Sequence, residues 1–349
     1  MLVVIHHMEQ IKSLFGMTNI WTTNGVIHEI GKLGVYLFFV LSGFLITYLL
    51  FEEKSIKKKI NYRDFLIRRV LRIWPLYFLI LILGLFILPH LIPPNFIDTS
   101  IITNNVIKLL VLYSTFLANI VVPLYGTIPY ISHLWSIGAE EQFYLFWPLL
   151  VMFAGKKVFT VILLIIMTYL LVDIYLHFEI SNTTLLELPV KAIKYILNYS
   201  GMIVGAGFAY LAYYQKAILN KYILNGYFFF TTSVVLLSLI LLNIKLPIYH
   251  FGLYSILFGI VIANLALNPK IKNLLEFNIL KYLGKVSYGI YMYHPICIML
   301  IAYAFQKFDF EKPVLFYVLS IISTITISAI SYEFIEKPFL KIKSRFSKI

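Results

Sequence analysis

The chain has 349 residues, of which 60% are hydrophobic and 13% are charged. Soluble domains carry roughly 25% charged residues, so this composition excludes a soluble globular protein and predicts a polytopic integral membrane protein. The net charge of +13 lies in short segments between apolar runs, so membrane topology accounts for it and we expect no nucleic-acid partner. The single cysteine, Cys297, excludes an intrachain disulfide.

The first apolar run is short. It reaches only five residues before His6 and His7, whereas a spanning helix needs about 20 apolar residues. We therefore predict a truncated first helix, a polar and mixed loop over residues 8–32, and a clear span over residues 33–51. A neutral imidazole near the outer part of a span can act as a general base for a hydroxyl group. An interfacial histidine pair at a helix end is the alternative interpretation.

Four of the five arginines fall within ten residues. They are Arg63, Arg68, Arg69 and Arg72, and they precede a predicted span over residues 73–91. Such a cluster sets membrane topology. It also suits a phosphate-rich ligand, because the guanidinium fork binds phosphate in a bidentate way that an ammonium group cannot match. If the segment is helical, Arg72 shares a face with Arg68 or with Arg69.

Later apolar runs complete a predicted all-α transmembrane helix bundle. Residues 106–123 are flanked by segments without Lys or Arg and are predicted to be shallow or re-entrant. Further spans are predicted at residues 136–154, 158–177, 197–214, 225–243, 249–267, 286–306 and 313–335. With both termini cytoplasmic, the inner segments hold 21 of the 29 Lys and Arg residues, which supports ten crossings. No repeat or long polar block interrupts the chain, so we predict one domain over residues 1–349.

A pair of carboxylates enters one of these spans. Glu140 and Glu141 are followed by Gln142 and, one turn after Glu140, by Tyr144. Neighbouring helical residues point about 100° apart, so only one carboxylate can easily face a given cavity, and Glu140 shares its face with Tyr144. Ionisable groups inside spans are costly and are functional candidates by default. A pair of acids at the level of the lipid headgroups is the alternative.

A polar stripe marks a later span. Ser287, Tyr291 and His294 recur at i, i+4 and i+7 and therefore share one helical face. Such a stripe either lines a cavity or binds neighbouring helices together.

At the end of the last span, Glu336 is expected to pair with an arginine of the basic segment in a structural role. The sequence contains no metal-ligand constellation, phosphate-binding glycine loop or nucleophilic serine motif, so we expect no metal and no bound cofactor.

Four stretches follow one another in a recognisable order. They are Val3 to His7, Phe38 to Ile46 followed by Arg69-x-x-Arg72, Trp135 to Pro148, and Ser287 to Pro295 with a terminal Ile335-Glu336-Lys337-Pro338. Together they resemble the acyltransferase 3 family of bacterial integral membrane proteins over nearly the whole chain. The resemblance implies a ten-helix protein of the bacterial cytoplasmic (inner) membrane. It also implies transfer of an acyl group, usually acetyl, from cytoplasmic acyl-CoA as co-substrate to a hydroxyl group of a surface glycan or related acceptor.

The resemblance also implies roles for single residues. His7 matches the histidine of the family's first-helix motif, Arg69 and Arg72 match its R-x-x-R pair, and Glu140 matches the glutamate of its E-x-Q-F-Y pattern. The arginines, with Arg68 beside them, would bind the CoA phosphates, while His7 removes the acceptor's proton or is transiently acylated and Glu140 orients its imidazole. The expected cavity-lining residues are Gln142, Tyr144, Ser287, Tyr291 and His294. The family pattern also has a basic residue eleven positions before the histidine, which would precede Met1, so we expect that either this sequence starts too late or the protein is truncated.

Two other functions fit the same features. One is a transporter or flippase for an anionic or glycolipid substrate, which would use the same basic segment and polar stripes. Transporters typically carry internal repeats or broken helices in corresponding halves, and no two halves of this sequence match. The other is a non-catalytic scaffold in contact with membrane lipids. The enzymatic interpretation requires the arginines and His7 to open onto one connected cavity.

Overall fold

The computed structural model describes residues 1–180 and 199–346, and within these ranges all regular structure is helical. The helices up to residue 180 are α1 (Leu2–Leu14), α2 (Gly25–Lys57), α3 (Tyr62–Ile82), α4 (Ser100–Ser114), α5 (Ala118–Tyr125), α6 (Trp135–Ala154) and α7 (Val158–Ile180). Those from residue 199 onward are α8 (Ser200–Tyr214), α9 (Lys216–Tyr222), α10 (Gly226–Leu241), α11 (His250–Leu267), α12 (Asn278–Lys285), α13 (Ser287–Lys307), α14 (Pro313–Ser331) and α15 (Lys337–Lys343).

Six helical segments of the described chain are long and apolar enough to cross a membrane. They are Gly25–Lys57, Tyr62–Leu91, Val158–Phe178, His250–Leu267, Ser287–Lys307 and Pro313–Phe346. Helices α9 and α10 would add a seventh as a broken span, since they are bent by 71°. An all-helical protein with several candidate membrane spans is therefore confirmed, whereas ten crossings and cytoplasmic termini stay predictions. The first two residues of the predicted span 197–214 lie outside the described chain.

The predicted loop over residues 8–32 was wrong. Helix α1 continues to Leu14, and α2 already begins at Gly25. Gly16 follows α1 in the left-handed conformation (φ +67°) that commonly ends helices. At the other end of the connection, the side chain of Asn24 accepts a hydrogen bond from the backbone N–H of Val26 at 3.0 Å, which caps α2. Of the polar residues of this region, Glu9 and Lys12 lie on α1, where they form the buried ion pair described below, and only residues 15–24 remain a loop.

The segment predicted to be shallow or re-entrant, residues 106–123, contains a break. Helix α4 ends at Ser114 and α5 begins at Ala118, with Phe116 between them in the left-handed conformation (φ 58°). Neither helix has the about 20 residues that a straight crossing requires. A single straight span through this segment is therefore excluded, while its depth in the membrane stays a prediction.

The described chain divides into two compact units, each assembled from separate stretches. The first unit comprises residues 1–31, 63–139 and 282–346, and its most extensive helix packing joins α13 to α14 and to α1. The second comprises residues 32–62, 140–180 and 199–281, with a hydrophobic core built by α2, α8 and α11 around Tyr36, Phe44, Phe208, Tyr254 and Phe258. The predicted single domain covers both units and stays a prediction.

In the second unit, two glycines let α2 and α8 approach each other at backbone distance. A Cβ atom on Gly43 would overlap the backbone of Met202, and one on Gly205 would overlap the carbonyl of Val40. Small residues at such crossings are typical of membrane helices, because close packing replaces the missing hydrophobic drive between helices. Side-chain bonds reinforce the packing of α6 on α2, since Nε1 of Trp147 donates to Oγ1 of Thr47 at 2.8 Å.

Gly205→Ala should destabilise the protein by about 1–3 kcal/mol, because the added methyl group has no room at the crossing. Gly207 on the same helix is the matched control, since the nearest side-chain atom to its added Cβ lies 3.7 Å away, at Ile162. Gly207→Ala should leave the melting temperature in detergent equal or slightly higher. Equal melting temperatures for the two variants would contradict the close crossing.

Candidate active site

His6 and His7 lie on different faces of α1. Nδ1 of His6 donates to the carbonyl oxygen of Ile27 at 2.8 Å, and its ring contacts Trp21 with centroids 4.9 Å apart. A side chain at Gly31 would overlap the His6 ring, so the ring fills space left by that glycine. His6 is therefore a packing residue of the first unit, and His7 is the chemical candidate of the pair.

His7 contacts a second imidazole from α13. Its Nδ1 lies 2.9 Å from Nε2 of His294, with ring centroids 4.9 Å apart. His294 is completely buried, whereas His7 retains part of its exposed surface. The structure therefore brings together two residues that the sequence analysis selected separately. His7 is therefore the partly exposed member of the pair.

A third imidazole completes the cluster of His7, His133 and His294, which we call the histidine cluster. Nε2 of His133 donates to the carbonyl oxygen of Met292 at 3.2 Å, and its ring lies 5.5 Å from that of His294. Burial, together with the neighbouring His7, lowers the pKa of His133 to about 3, so its imidazole is neutral at physiological pH. Sequence reasoning gave His133 no role. The available signal was its position immediately before the span that carries the carboxylate pair.

Tyr291 fixes the segment that carries His133. Its hydroxyl donates to the carbonyl oxygen of His133 at 3.0 Å and lies 2.6 Å from Oγ of Ser136. The residues of the predicted polar stripe on α13 therefore lie in two different environments. Tyr291 and His294 join the histidine cluster, while the hydroxyl of Ser287 donates to the carbonyl of Gly284 at the start of the helix.

The residues predicted on α6 belong to the second unit. Tyr144 is buried, and its hydroxyl lies 2.6 Å from Oγ of Ser42 on α2, while Gln142 accepts a hydrogen bond from the hydroxyl of Tyr199. These bonds join helices of the second unit. Glu140 lies one turn before Tyr144 on the same face, as predicted, and is partly buried. Its proposed action on His7 stays a prediction.

The arginine cluster lies on a helix, so Arg72 shares a face with Arg68 or Arg69. Arg68, Arg69 and Arg72 are all within α3, and Nη1 of Arg68 donates to the carbonyl oxygen of Phe346 at 2.8 Å. The ammonium group of Lys343 lies within the electrostatic reach of all three guanidinium groups. Sequence reasoning missed Lys343, because it is more than 270 positions away in a lysine-rich terminal segment.

An acidic group balances part of this charge. The carboxylate of Glu336 is buried, and Arg72 is the cation that acts on it. Oε1 of Glu336 has no hydrogen-bond partner among the described residues, so a direct pair between Glu336 and an arginine stays a prediction. We call Arg68, Arg69, Arg72 and Lys343 the basic cluster. This cluster contains four cations and has one buried carboxylate nearby, so its net charge is positive. A net positive charge of this size suits an anion that carries several negative charges.

Helix α13 connects the basic cluster to the histidine cluster within the first unit. Near its start, the hydroxyl of Tyr288 donates to the carbonyl oxygen of Ile73 on α3 at 2.8 Å. His294 follows six residues later, about 9 Å along the helix axis at 1.5 Å per residue. An anion held at α3 and a group reacting at His7 therefore face neighbouring parts of one helix. A continuous cavity between them stays a prediction.

A buried ion pair holds α1 in place beside the histidine cluster. Nζ of Lys12 lies 2.8 Å from Oε1 of Glu9, and both side chains are almost completely buried. The backbone N–H of Ile20 donates to Oε2 of Glu9 at 2.6 Å, and Tyr317 on α14 hydrogen-bonds to both charged groups. Both carboxylate oxygens of Glu9 thus have hydrogen-bond partners, as a buried charge requires.

Glu9→Ala should lower the stability of the protein by about 3 kcal/mol, because it leaves the Lys12 ammonium buried without its counter-charge. Glu333→Ala is the control, since Glu333 pairs with Lys337 in a setting where both side chains are roughly half exposed. Such pairs contribute little, so the control should melt like the wild type in detergent. Similar melting temperatures for Glu9→Ala and the wild type would contradict the anchoring role.

Comparisons with known proteins point to one family. A sequence model of a family described as an acyltransferase domain matches residues 1–333 of the chain. The proteins named O-acetyltransferase OatA from Staphylococcus aureus strains NCTC 8325 and MRSA252 are each 29% identical over 329 residues, covering 89% of this chain and 53% of those proteins. The chain thus spans about half the length of these curated relatives. No solved structure matches the chain.

Proposed function

The chain belongs to the acyltransferase 3 family, and on that premise we propose that it is a membrane-bound O-acetyltransferase. Its donor is cytoplasmic acyl-CoA, in the first place acetyl-CoA, and its acceptor is a hydroxyl group of a cell-surface polysaccharide or a related glycan or glycolipid. The observation that carries the proposal is that one unit holds both a basic cluster and an accessible histidine, joined by α13. The relatives are named O-acetyltransferases, which supports this chemistry.

The proposed location is the bacterial cytoplasmic membrane, crossed ten times with both termini inside. This topology would put the basic cluster on the cytoplasmic side, where acyl-CoA is present, and most Lys and Arg residues beside it. His7 would then lie about 9 Å deeper in the bundle than Tyr288 at the start of α13, so the acceptor hydroxyl group must enter the bundle from the outer side to reach it.

The basic cluster is suited to the phosphate groups of CoA. Arg69 and Arg72 can each present two parallel N–H donors to a phosphate, while Arg68 and Lys343 add positive charge. Four cations gathered in one place repel one another, and a bound polyanion removes that cost. A neutral donor would leave the repulsion in place, so the cluster favours a phosphorylated one.

His7 is suited to the acyl-transfer step. As a base, it takes the proton of the acceptor hydroxyl while the oxygen attacks the thioester carbon, and the CoA thiolate leaves and takes up a proton. As a carrier, its nitrogen attacks the thioester first, and the acceptor oxygen then displaces the imidazole. Both routes use the accessible surface of His7 and no metal.

His7→Ala should reduce transfer of labelled acetyl groups from acetyl-CoA by roughly 10²- to 10⁴-fold, because positioned proton transfer contributes about that much. The assay uses membranes that contain the full chain, followed by mass spectrometry of the surface glycan. His6→Asn is the matched control, since the asparagine amide N–H lies near the position of Nδ1 and can still donate to the Ile27 carbonyl, and it should keep most of the activity. Wild-type transfer by His7→Ala would remove His7 from the reaction.

Replacing Arg69 and Arg72 together by lysine should raise the dissociation constant of acetyl-CoA by about tenfold or more, because lysine keeps the charge but loses the bidentate geometry. Arg63→Lys is the control, since Arg63 lies on the same helix but is exposed. Binding is measured by titration calorimetry on detergent-solubilised protein. Unchanged affinity in the double variant would place the CoA site elsewhere.

A further inference from the structure

Pro295 leaves one backbone carbonyl group inside α13 without a backbone hydrogen-bond donor. Proline has no backbone N–H, so the carbonyl group four residues earlier, that of Tyr291, lacks its usual helical donor. Nδ1 of His294 lies 2.7 Å from that carbonyl oxygen and 3.2 Å from the carbonyl oxygen of Ile290. The side chain of His294 therefore supplies the donor that the proline removed.

This contact determines which nitrogen of His294 carries the proton. A carbonyl oxygen only accepts hydrogen bonds, so Nδ1 of His294 must be the protonated nitrogen. In a neutral imidazole the other nitrogen, Nε2, is then an acceptor. Burial disfavours the charged form of an imidazole, and His294 is completely buried. The acceptor role of its Nε2 follows from these two facts.

The tautomer of His7 follows from that of His294. Its Nδ1 lies 2.9 Å from Nε2 of His294, and a hydrogen bond between two imidazoles needs one donor and one acceptor. Because Nε2 of His294 accepts, Nδ1 of His7 donates. The lone pair of a neutral His7 is therefore on Nε2.

We propose that His294 is a positioning residue that fixes the tautomer of His7 and thereby makes Nε2 of His7 the reacting nitrogen. The inference rests on the proposed function, in which His7 is the reacting group. When Nε2 of His7 takes the acceptor's proton, the Nδ1–H bond to His294 persists and stabilises the imidazolium that forms. When Nε2 is acylated instead, the same bond holds the ring in place. Either way, the CoA thiolate takes up the proton released by the acceptor hydroxyl.

Two substitutions at His294 separate this role from a purely structural one. His294→Gln puts an amide group where Nε2 stood, and its oxygen can accept from Nδ1 of His7. His294→Asn instead puts an amide N–H near the position of Nδ1, where it can satisfy the Tyr291 carbonyl but cannot reach His7. We expect His294→Gln to keep kcat within about tenfold of the wild type. His294→Asn should lower kcat by roughly 10²- to 10⁴-fold with an unchanged KM for acetyl-CoA, as is typical for loss of the correct imidazole tautomer.

The opposite order, with His294→Asn active and His294→Gln inactive, would show that His294 serves only the α13 backbone and would overturn the inference. A large change in KM without a change in kcat would do the same, because it would place His294 in donor binding. Pro295→Ala adds an independent variant. It restores a backbone N–H that competes for the Tyr291 carbonyl, so we expect a smaller fall in kcat, about three- to tenfold.

A spectroscopic measurement tests the tautomer without any turnover. The wild-type protein is labelled with ¹⁵N-histidine, and its eight histidines are compared by solid-state NMR with a His7→Gln sample, so that the difference identifies the His7 signals. We expect a protonated Nδ1 and an unprotonated Nε2 for His7. A protonated Nε2 would overturn the inference whatever the activity. The expected pattern in a protein that transfers no acetyl group would instead overturn the proposed function alone.

Discussion

The hydrogen bond between His7 and His294 joins helices that lie 287 positions apart in the sequence. Helix α1 has only 13 residues, too few to be held by the apolar thickness of a membrane alone. Its position depends on buried apolar side chains such as Met8 and Ile11. It also depends on side-chain bonds, to α13 through His7 and to α14 through Glu9 and Lys12. In a buried, low-dielectric setting each of these bonds is strong when complete and costly when broken. The site therefore depends on a short helix that polar contacts help to hold in place.

Long apolar runs made most of the fold predictable. The six helical segments that can span a membrane coincide with runs that the sequence shows directly, because lipid requires such runs. The connection after α1 was not predictable in the same way. Glu9 and Lys12 look like loop residues until their partners are known, and one of these, Tyr317, lies 305 positions after Lys12. Local patterns carry no information on contacts over that separation.

The candidate site was predictable only where its residues are related by local helical spacing. The periodicity of α13 selected Tyr291 and His294 correctly as neighbours on one face, since helical spacing is a local property. His133 was missed because it belongs to a short turn with no periodicity of its own. Lys343 was missed because its position beside the arginines depends on how the end of the chain packs. The pair His294-Pro295 did contain a local signal, since a proline inside a helix always leaves a carbonyl in need of a donor.

The two units use different means to join their helices, and the difference indicates where chemistry can occur. In the second unit, α2 meets its neighbours through glycines and hydroxyl groups such as Ser42 and Thr47, which pack closely at little electrostatic cost. The first unit buries imidazoles and the complete Glu9–Lys12 ion pair, whereas the described part of the second unit buries one carboxylate, that of Glu53, whose lysine partner is partly exposed. Ionisable groups are a poor way to hold helices together, because burying them costs more than a glycine crossing does. Their concentration around α13 is explained if the protein uses their charges and protons, and stability alone would not require them.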